Sequence, residues 1–249
     1  MRSIFVALVT SILTLTLGPL VILARVFRVP QGPRSIYARC IRAWARGINW
    51  AAGVKVVVHG AERLQNAGGA VFVANHVSWF DIFSLASVVP WCSFVAKSEL
   101  RKILLFGFAA EAAGIVFVDR DNRKQAFASY EAAAKEIRRG RSIVVCPEGT
   151  RGEDYHLRPF KKGPFVLAIA SQTPVIPTIV HGTIAIMPKG TFRVRPGRVD
   201  IHFLTPIPTA GLEYDERAEL MTTTWNAMAD ELRTRYGAYT NEHPVANQA

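Results

Sequence analysis

The residues of this chain best suited to chemistry stand together in Asn75-His76-Val77-Ser78-Trp79-Phe80-Asp81. A histidine can take a proton from a hydroxyl as general base, and a carboxylate can orient its ring and stabilise the imidazolium that results. The spacing sets a condition. Positions i and i+5 lie about 140° apart around a helix and on opposite faces of a strand, so His76 and Asp81 meet only if the chain bends between them. Ser78 is the natural bend point. If a helix starts there, Ser78 caps it and Asp81 falls at its third position. A purely structural reading competes. Ser-x-x-Asp before an apolar run is a capping box, which would leave Asp81 as a helix cap and His76 as a hydrogen-bonded loop histidine.

Further polar residues follow apolar runs in the same way. Lys97 follows 93–96, Asp119 and Arg120 follow 115–118, and Pro147-Glu148-Gly149-Thr150-Arg151-Gly152 follows 142–146. Pro174-Val175-Ile176-Pro177 leads into His181-Gly182. Open α/β sheets hold ligands beyond the carboxyl ends of their strands, so these stretches belong to one prospective site.

The elements that must position them alternate. Strands are predicted over 54–59, 70–74, 93–96, 115–118, 142–146 and 175–180. Helices are predicted over 82–89, 98–113, 123–139, 163–171 and 214–236. A hairpin is expected between 192–194 and 198–204, around Pro196-Gly197. The alternation implies an α/β fold with a largely parallel central sheet flanked by helices. Residues 53–237 form that domain, and 238–249 read as a disordered tail.

The first 52 residues read differently. Residues 4–24 carry no charge and are long enough to span a bilayer as a helix. A cleaved signal peptide, or an element broken at Gly18-Pro19, are the alternatives. Residues 34–51 then show helical spacing of Ile36, Cys40, Ile41, Trp44 and Ile48, with Arg39, Arg42 and Arg46 elsewhere on the wheel, as in a helix at a lipid interface. No Asp or Glu precedes Glu62, whereas seven arginines and Lys55 do, and the net charge is +11. This pattern points to an anionic bilayer, with the domain on the cytoplasmic face. No nucleic-acid motif accompanies the charge. Cys40, Cys92 and Cys146 are too few and too scattered for a disulfide framework or a zinc site. No paired spacing among His76, Asp81, Glu148 and His156 suggests a metal.

The motifs together resemble the glycerolipid acyltransferase family that includes the 1-acylglycerol-3-phosphate acyltransferases. Asn75, His76, Ser78 and Asp81 match that family's NHxSxxD motif; Gly114, Phe117 and Arg120 match GxxFxxR. Pro147 to Arg151 match FPEGTRS, and Val175, Ile176 and Pro177 match an apolar VxP-like block. Cys146 stands where the family often has Phe, and Gly152 where Ser is usual. The resemblance covers about residues 54–182 and extends to a membrane-docking helix pair at the N-terminus.

It implies acyl transfer from acyl-CoA or acyl carrier protein to the sn-2 hydroxyl of lysophosphatidic acid, giving phosphatidic acid without a metal or other cofactor. His76 would be the base, Asp81 its partner, and backbone amides around Glu148, Gly149 and Thr150 the oxyanion donors. Lys97, Arg120 and Arg151 would bind the acceptor's phosphate. Glu148 would bind a glycerol hydroxyl or fix Arg151 by a salt bridge. Arg158, Lys161 and Lys162 would meet the donor's phosphates, the bilayer or only water. Another lyso-lipid acceptor, or a non-catalytic lipid-binding protein, are the competing readings. Deleting 1–29 is expected to weaken membrane association more than it damages the core.

Overall fold

The structure, a computed structural model, describes residues 1–65, 68–119 and 123–238. Its helices are α1 (Arg2–Val26), α2 (Ile36–Ala52), α3 (Glu62–Gln65), α4 (Trp79–Val88), α5 (Phe106–Ala113), α6 (Arg123–Arg138), α7 (Gly163–Ser171), α8 (Thr183–Ile186) and α9 (Arg217–Tyr236). Its strands are β1 (Val54–His59), β2 (Val71–Ala74), β3 (Cys92–Lys97), β4 (Val116–Val118), β5 (Ser142–Val145), β6 (Val175–His181) and β7 (Gly197–Phe203). They form one sheet in the order β1-β7-β6-β2-β5-β3-β4. Only β6 and β7 pair antiparallel.

The sheet is covered on both faces, as a mostly parallel sheet requires. Along β2, Phe72 and Ala74 join the core under α2 and α4, while Val71 and Val73 face the core of α6, α7 and α9. Every residue of β2 and β5 is buried. This explains why these strands read as unbroken apolar runs.

Two expectations fail here. The predicted hairpin does not form: 192–194 is not a strand, and β7 instead pairs parallel with β1 and antiparallel with β6. With both edges of β7 occupied, no edge is left for a hairpin partner. The predicted helix 98–113 is also two pieces, a 3₁₀ turn at Ser98–Lys102 and then α5. Between them Leu105 takes φ 61°, folding Gly107 onto the Arg101 carbonyl, where an added Cβ would lie 2.0 Å from the oxygen. Apolar residues on every side hid that break from the periodicity. Of the tail expected at 238–249, Ala238 packs against the core of α7 and α9; its residues 239–249, and Arg120, lie outside the described residues.

Helix α1 passes the length and hydropathy criteria for crossing a membrane, yet it lies against the domain. Val6 joins the core under the sheet, Val21 and Ala24 pack with Tyr37, Ala112 and Ala113, and Trp44 Nε1 donates to Thr14 Oγ1 at 3.0 Å. Its other side exposes Ile4, Leu8, Ile12, Leu15 and Leu23. The truncation at residue 29 is therefore no longer expected to spare the core, because α1 is part of it.

At the β1–β7 seam His59 and His202 are register partners with rings stacked 4.2 Å apart. His59 Nε2 meets Asp200 Oδ1 at 2.8 Å, and Tyr236 Oη meets His202 Nε2 at 2.7 Å. The hydrogen bond from Arg198 holds the Asp200 carboxyl down at about 2. Burial holds both His202 and His181 below the ordinary imidazole range, and His59 pushes His202 the same way. For these two histidines the folded state disfavours the proton. The stability they contribute is present above the unfolded imidazole pKa of about 6.5 and is lost as pH falls through their depressed folded values. Thermal stability is expected to decline from pH 7 toward pH 5, and His202→Gln should flatten that decline in a melting series. An unchanged slope would assign the acid loss elsewhere.

Candidate active site

β2, β3 and β5 run parallel, so their carboxyl ends gather on one edge of the sheet. His76 follows β2, Lys97 ends β3, and Cys146 through Arg151 follow β5. The backbone beyond β2 is fixed by Asn75, which bridges to the neighbouring strand. Its Nδ2 donates to the Val180 carbonyl at 3.0 Å, and its Oδ1 accepts from the Val180 amide at 2.8 Å.

The bend comes at Ser78, whose extended backbone caps α4 while Asp81 completes the capping box. His76 Nδ1 reaches Asp81 Oδ2 at 2.9 Å. The same oxygen accepts from the Val77 and Ser78 amides at 2.7 and 2.8 Å, and Thr183 Oγ1 donates to Oδ1 at 2.5 Å. Asp81 and Thr183 are fully buried. A carboxylate can only accept, so the Nδ1 proton belongs to this bond and the lone pair lies on Nε2. The two readings of Asp81, helix cap and partner of histidine, are thus both true of one carboxylate.

Tyr155 holds the Thr183 turn, its Oη accepting from the Gly182 amide at 2.7 Å and the Ile184 amide at 3.3 Å. Thr183→Val would leave Asp81 Oδ1 without its donor in a dry site. A hydrogen bond to a charged group is worth about 1.5–3 kcal/mol, so urea titration should show a loss of that order. Thr183→Ser should restore it; a valine variant as stable as the parent would show that the bond is dispensable.

The loop after β5 clasps the His76 backbone from the other side. Glu148 Oε1 accepts from the His76 amide at 3.0 Å, and the Gly152 amide donates to the His76 carbonyl at 2.7 Å. Glu148 Oε2 accepts from Arg158 Nε at 3.2 Å and from the Arg158 amide at 3.4 Å. Arg158 Nη2 also donates to the Thr150 carbonyl. Burial pushes the Glu148 carboxyl up, against the opposing pull of the His76 amide and Arg158. Of the alternatives left open for Glu148, the salt bridge to Arg151 does not occur: Arg158 is the partner. The Arg151 guanidinium instead sits 5.0 Å from the Trp79 ring centroid. Arg158, expected at a phosphate, at lipid or in water, is drawn into the loop's own framework.

Gly149 turns the loop at φ 77°, and its amide donates to the Cys146 carbonyl at 3.2 Å. Lys97 pairs with Glu99 at 2.5 Å and remains half-exposed.

His76, Lys97, Gly149, Thr150 and Arg151 all border one cavity of about 320 Å³. Away from this polar end its wall is apolar: Leu17, Gly18 and Val21 of α1, Ile41 and Trp44 of α2, Phe83 of α4, and Ala109 and Ala113 of α5. Gly114 precedes β4, and Phe117 lies within it and lines the cavity; the third motif member, Arg120, is outside the described residues. Sequence reasoning did not find Thr183, Tyr155 or the Glu148–Arg158 pair. Thr183 lies 102 residues from Asp81, and no local pattern encodes that contact.

A histidine base that borders a largely apolar cavity, with Lys97 and Arg151 on the same lining, can deprotonate a hydroxyl held against an aliphatic chain. Comparison with known proteins agrees with that chemistry. A family model described as Acyltransferase matches residues 55–181. A 1-acyl-sn-glycerol-3-phosphate acyltransferase of Limnanthes douglasii is 36% identical over 162 residues, 64% of this chain and 57% of its own length. The human 1-acyl-sn-glycerol-3-phosphate acyltransferase alpha is 30% identical over 197 residues, 78% of this chain and 70% of its own. The chain spans about three fifths of the length of the Limnanthes relative and of one from Caenorhabditis elegans. Among solved structures, the 1-acyl-sn-glycerophosphate (LPA) acyltransferase PlsC of Thermotoga maritima superposes with a TM-score of 0.69 at 26% identity, covering 95% of this chain and 99% of that one.

Proposed function

We propose, since the chain belongs to the Acyltransferase family, that it moves an acyl group from a thioester to the sn-2 hydroxyl of a 1-acyl-sn-glycerol-3-phosphate, forming phosphatidic acid. The observation that carries this reading is the His76–Asp81 pair, whose histidine lines the largely apolar cavity. The names of the relatives supply the acceptor.

In the proposed step His76 Nε2 takes the proton of the acceptor hydroxyl as its oxygen attacks the thioester carbonyl. Asp81 balances the charge of the imidazolium. The tetrahedral oxyanion is held by a backbone amide of the 148–150 loop. With the Gly149 amide already donated to Cys146, the Thr150 amide is the better candidate. Collapse expels the thiolate, which takes the proton from His76. No acyl-enzyme forms, and the activated thioester leaves no task for a metal or other cofactor. Arg151 and Lys97, with Arg120, meet the acceptor's phosphate, and the apolar cavity takes an acyl chain. The donor is acyl-CoA or acyl carrier protein. The exposed apolar side of α1, together with α2, rests in the bilayer, and the basic N-terminal segment sets the active site on the cytoplasmic face.

The test supplies the purified protein with a labelled acyl-CoA, or the same acyl group on carrier protein, and a panel of lyso-lipids. Label is expected in phosphatidic acid from lysophosphatidic acid. Transfer only to an acceptor without a terminal phosphomonoester, or none with either donor, would overturn the reading.

A further inference from the structure

Residues 188–196 join α8 to β7 and project beside the N-terminal end of α1. Both ends of this loop are tied down. The Thr191 amide donates to the Pro188 carbonyl at 3.3 Å, the Val194 amide to Ser3 Oγ at 3.0 Å and the Arg195 amide to the Ile186 carbonyl at 2.9 Å. The tip between them is bare, and Phe192 is 86% exposed. A large apolar side chain held out by a pinned loop loses the hydrophobic gain of burial unless something covers it.

The surroundings indicate what covers it. Arg193 and Arg195 follow Phe192, are exposed, and have no carboxylate partner among the described residues. Lys189 leans toward Glu153 at 3.3 Å. No acidic residue occurs from 188 to 199, nor anywhere before Glu62. Arg2 and Pro196 both crowd Gly53, which brings the loop, the start of α1 and the end of α2 together. There Ile4 and Trp50 are largely exposed, and Phe5 meets Trp50 edge-on at 5.9 Å. The patch is aromatic and aliphatic, carries Arg2, Arg193 and Arg195, has the Glu153 carboxylate only at its Lys189 end, and is continuous with the exposed apolar side of α1.

We propose that the 188–196 loop is a second contact with an anionic bilayer, Phe192 entering the acyl region while Arg193 and Arg195 meet lipid phosphates. It rests on the membrane reading above. It also adds to that reading, because the contact lies more than 130 residues from the N-terminal helices in sequence and fixes the tilt of the domain at the end of α1 where Ser3 lies.

Flotation of the full chain with vesicles tests it, using neutral lipid alone and neutral lipid with an anionic fraction. Each basic residue near an anionic surface contributes about fivefold in partitioning. Arg193→Gln/Arg195→Gln is therefore expected to weaken binding to anionic vesicles by about 25-fold at low salt, with little change on neutral vesicles and convergence with the parent at high salt. Phe192→Ser should weaken binding to both vesicle types regardless of salt. Transfer activity in detergent micelles should match the parent in all of them. Phe192→Cys carrying a polarity-sensitive dye should shift to the blue with anionic vesicles; the three native cysteines are buried or partly buried. Parent-like binding by the variants, or a dye that stays in water, would overturn the proposal and leave the α1–α2 contact standing. A parent chain that floats with neither vesicle would overturn both.

Discussion

His76→Ala is expected to lower kcat by about 10²–10⁴-fold, the usual contribution of a positioned general base, with little change in KM for either substrate. The imidazole's hydrogen bond among the described side chains is to Asp81, and its backbone is held independently by Glu148 and Gly152. Removing the ring therefore leaves β2, the cap of α4 and the loop after β5 in place. Asp81 loses one donor of four and keeps two amides and the Thr183 hydroxyl. The variant should melt close to the parent and partition onto vesicles equally. A residual rate within tenfold of the parent would mean that another group takes the proton. A large fall in stability would mean that the ring is structural.

Asp81 gives the second large effect, and two substitutions separate its two tasks. In Asp81→Asn the amide oxygen can stay where Oδ2 accepts from His76 and the two backbone amides, while the amide nitrogen faces Thr183 Oγ1, which can turn to accept. The cap and the tautomer survive, but the negative charge opposite the imidazolium is gone. The equivalent change in a Ser-His-Asp triad costs about 10⁴-fold; with the tautomer kept here, a loss of about 10²–10³-fold in kcat with near-parent stability is expected. In Asp81→Ala the Val77 and Ser78 amides and the Thr183 hydroxyl all lose their acceptor in a buried site, at about 1–3 kcal/mol each. That variant should be several kcal/mol less stable in urea and inactive as well. Equal stability of the two variants would refute the division between cap and charge.

Much of this site was legible because its parts are local. An apolar run followed by Asn-His, a serine bend and an acid at the third helical position specify a geometry within seven residues, and β2 and α4 deliver it. The sheet was legible for a related reason: strands buried on both faces read as apolar runs bounded by turns. What stayed hidden depends on contacts between distant parts of the chain. Thr183 on Asp81, Tyr155 under Thr183 and Arg158 on Glu148 are hydrogen bonds made after the strands have been ordered across the sheet. Of the two alternatives for Glu148, the pairing with Arg151 failed for such a reason. Arg151 lies over Trp79, and the chain returns to bring Arg158 to the carboxylate. The hairpin failed because β7 satisfies its hydrogen bonds with β1 and β6, a choice made by the whole sheet.

One feature of α1 bears on how turnover would respond to lipid. Leu17, Gly18 and Val21 line the cavity wall, while Leu15, Leu20 and Leu23 of the same helix are exposed on its outside. A single helix would thus separate an aliphatic chain in the cavity from the bilayer that α1 is proposed to enter. A chain leaving through water would lose about 0.8 kcal/mol for each methylene exposed, whereas one slipping past α1 into lipid loses almost none. Substrate and product would then exchange within a two-dimensional phase. Velocity should follow the mole fraction of lyso-lipid in the surface rather than its bulk concentration, and adding inert lipid at constant total substrate should slow the enzyme by dilution alone.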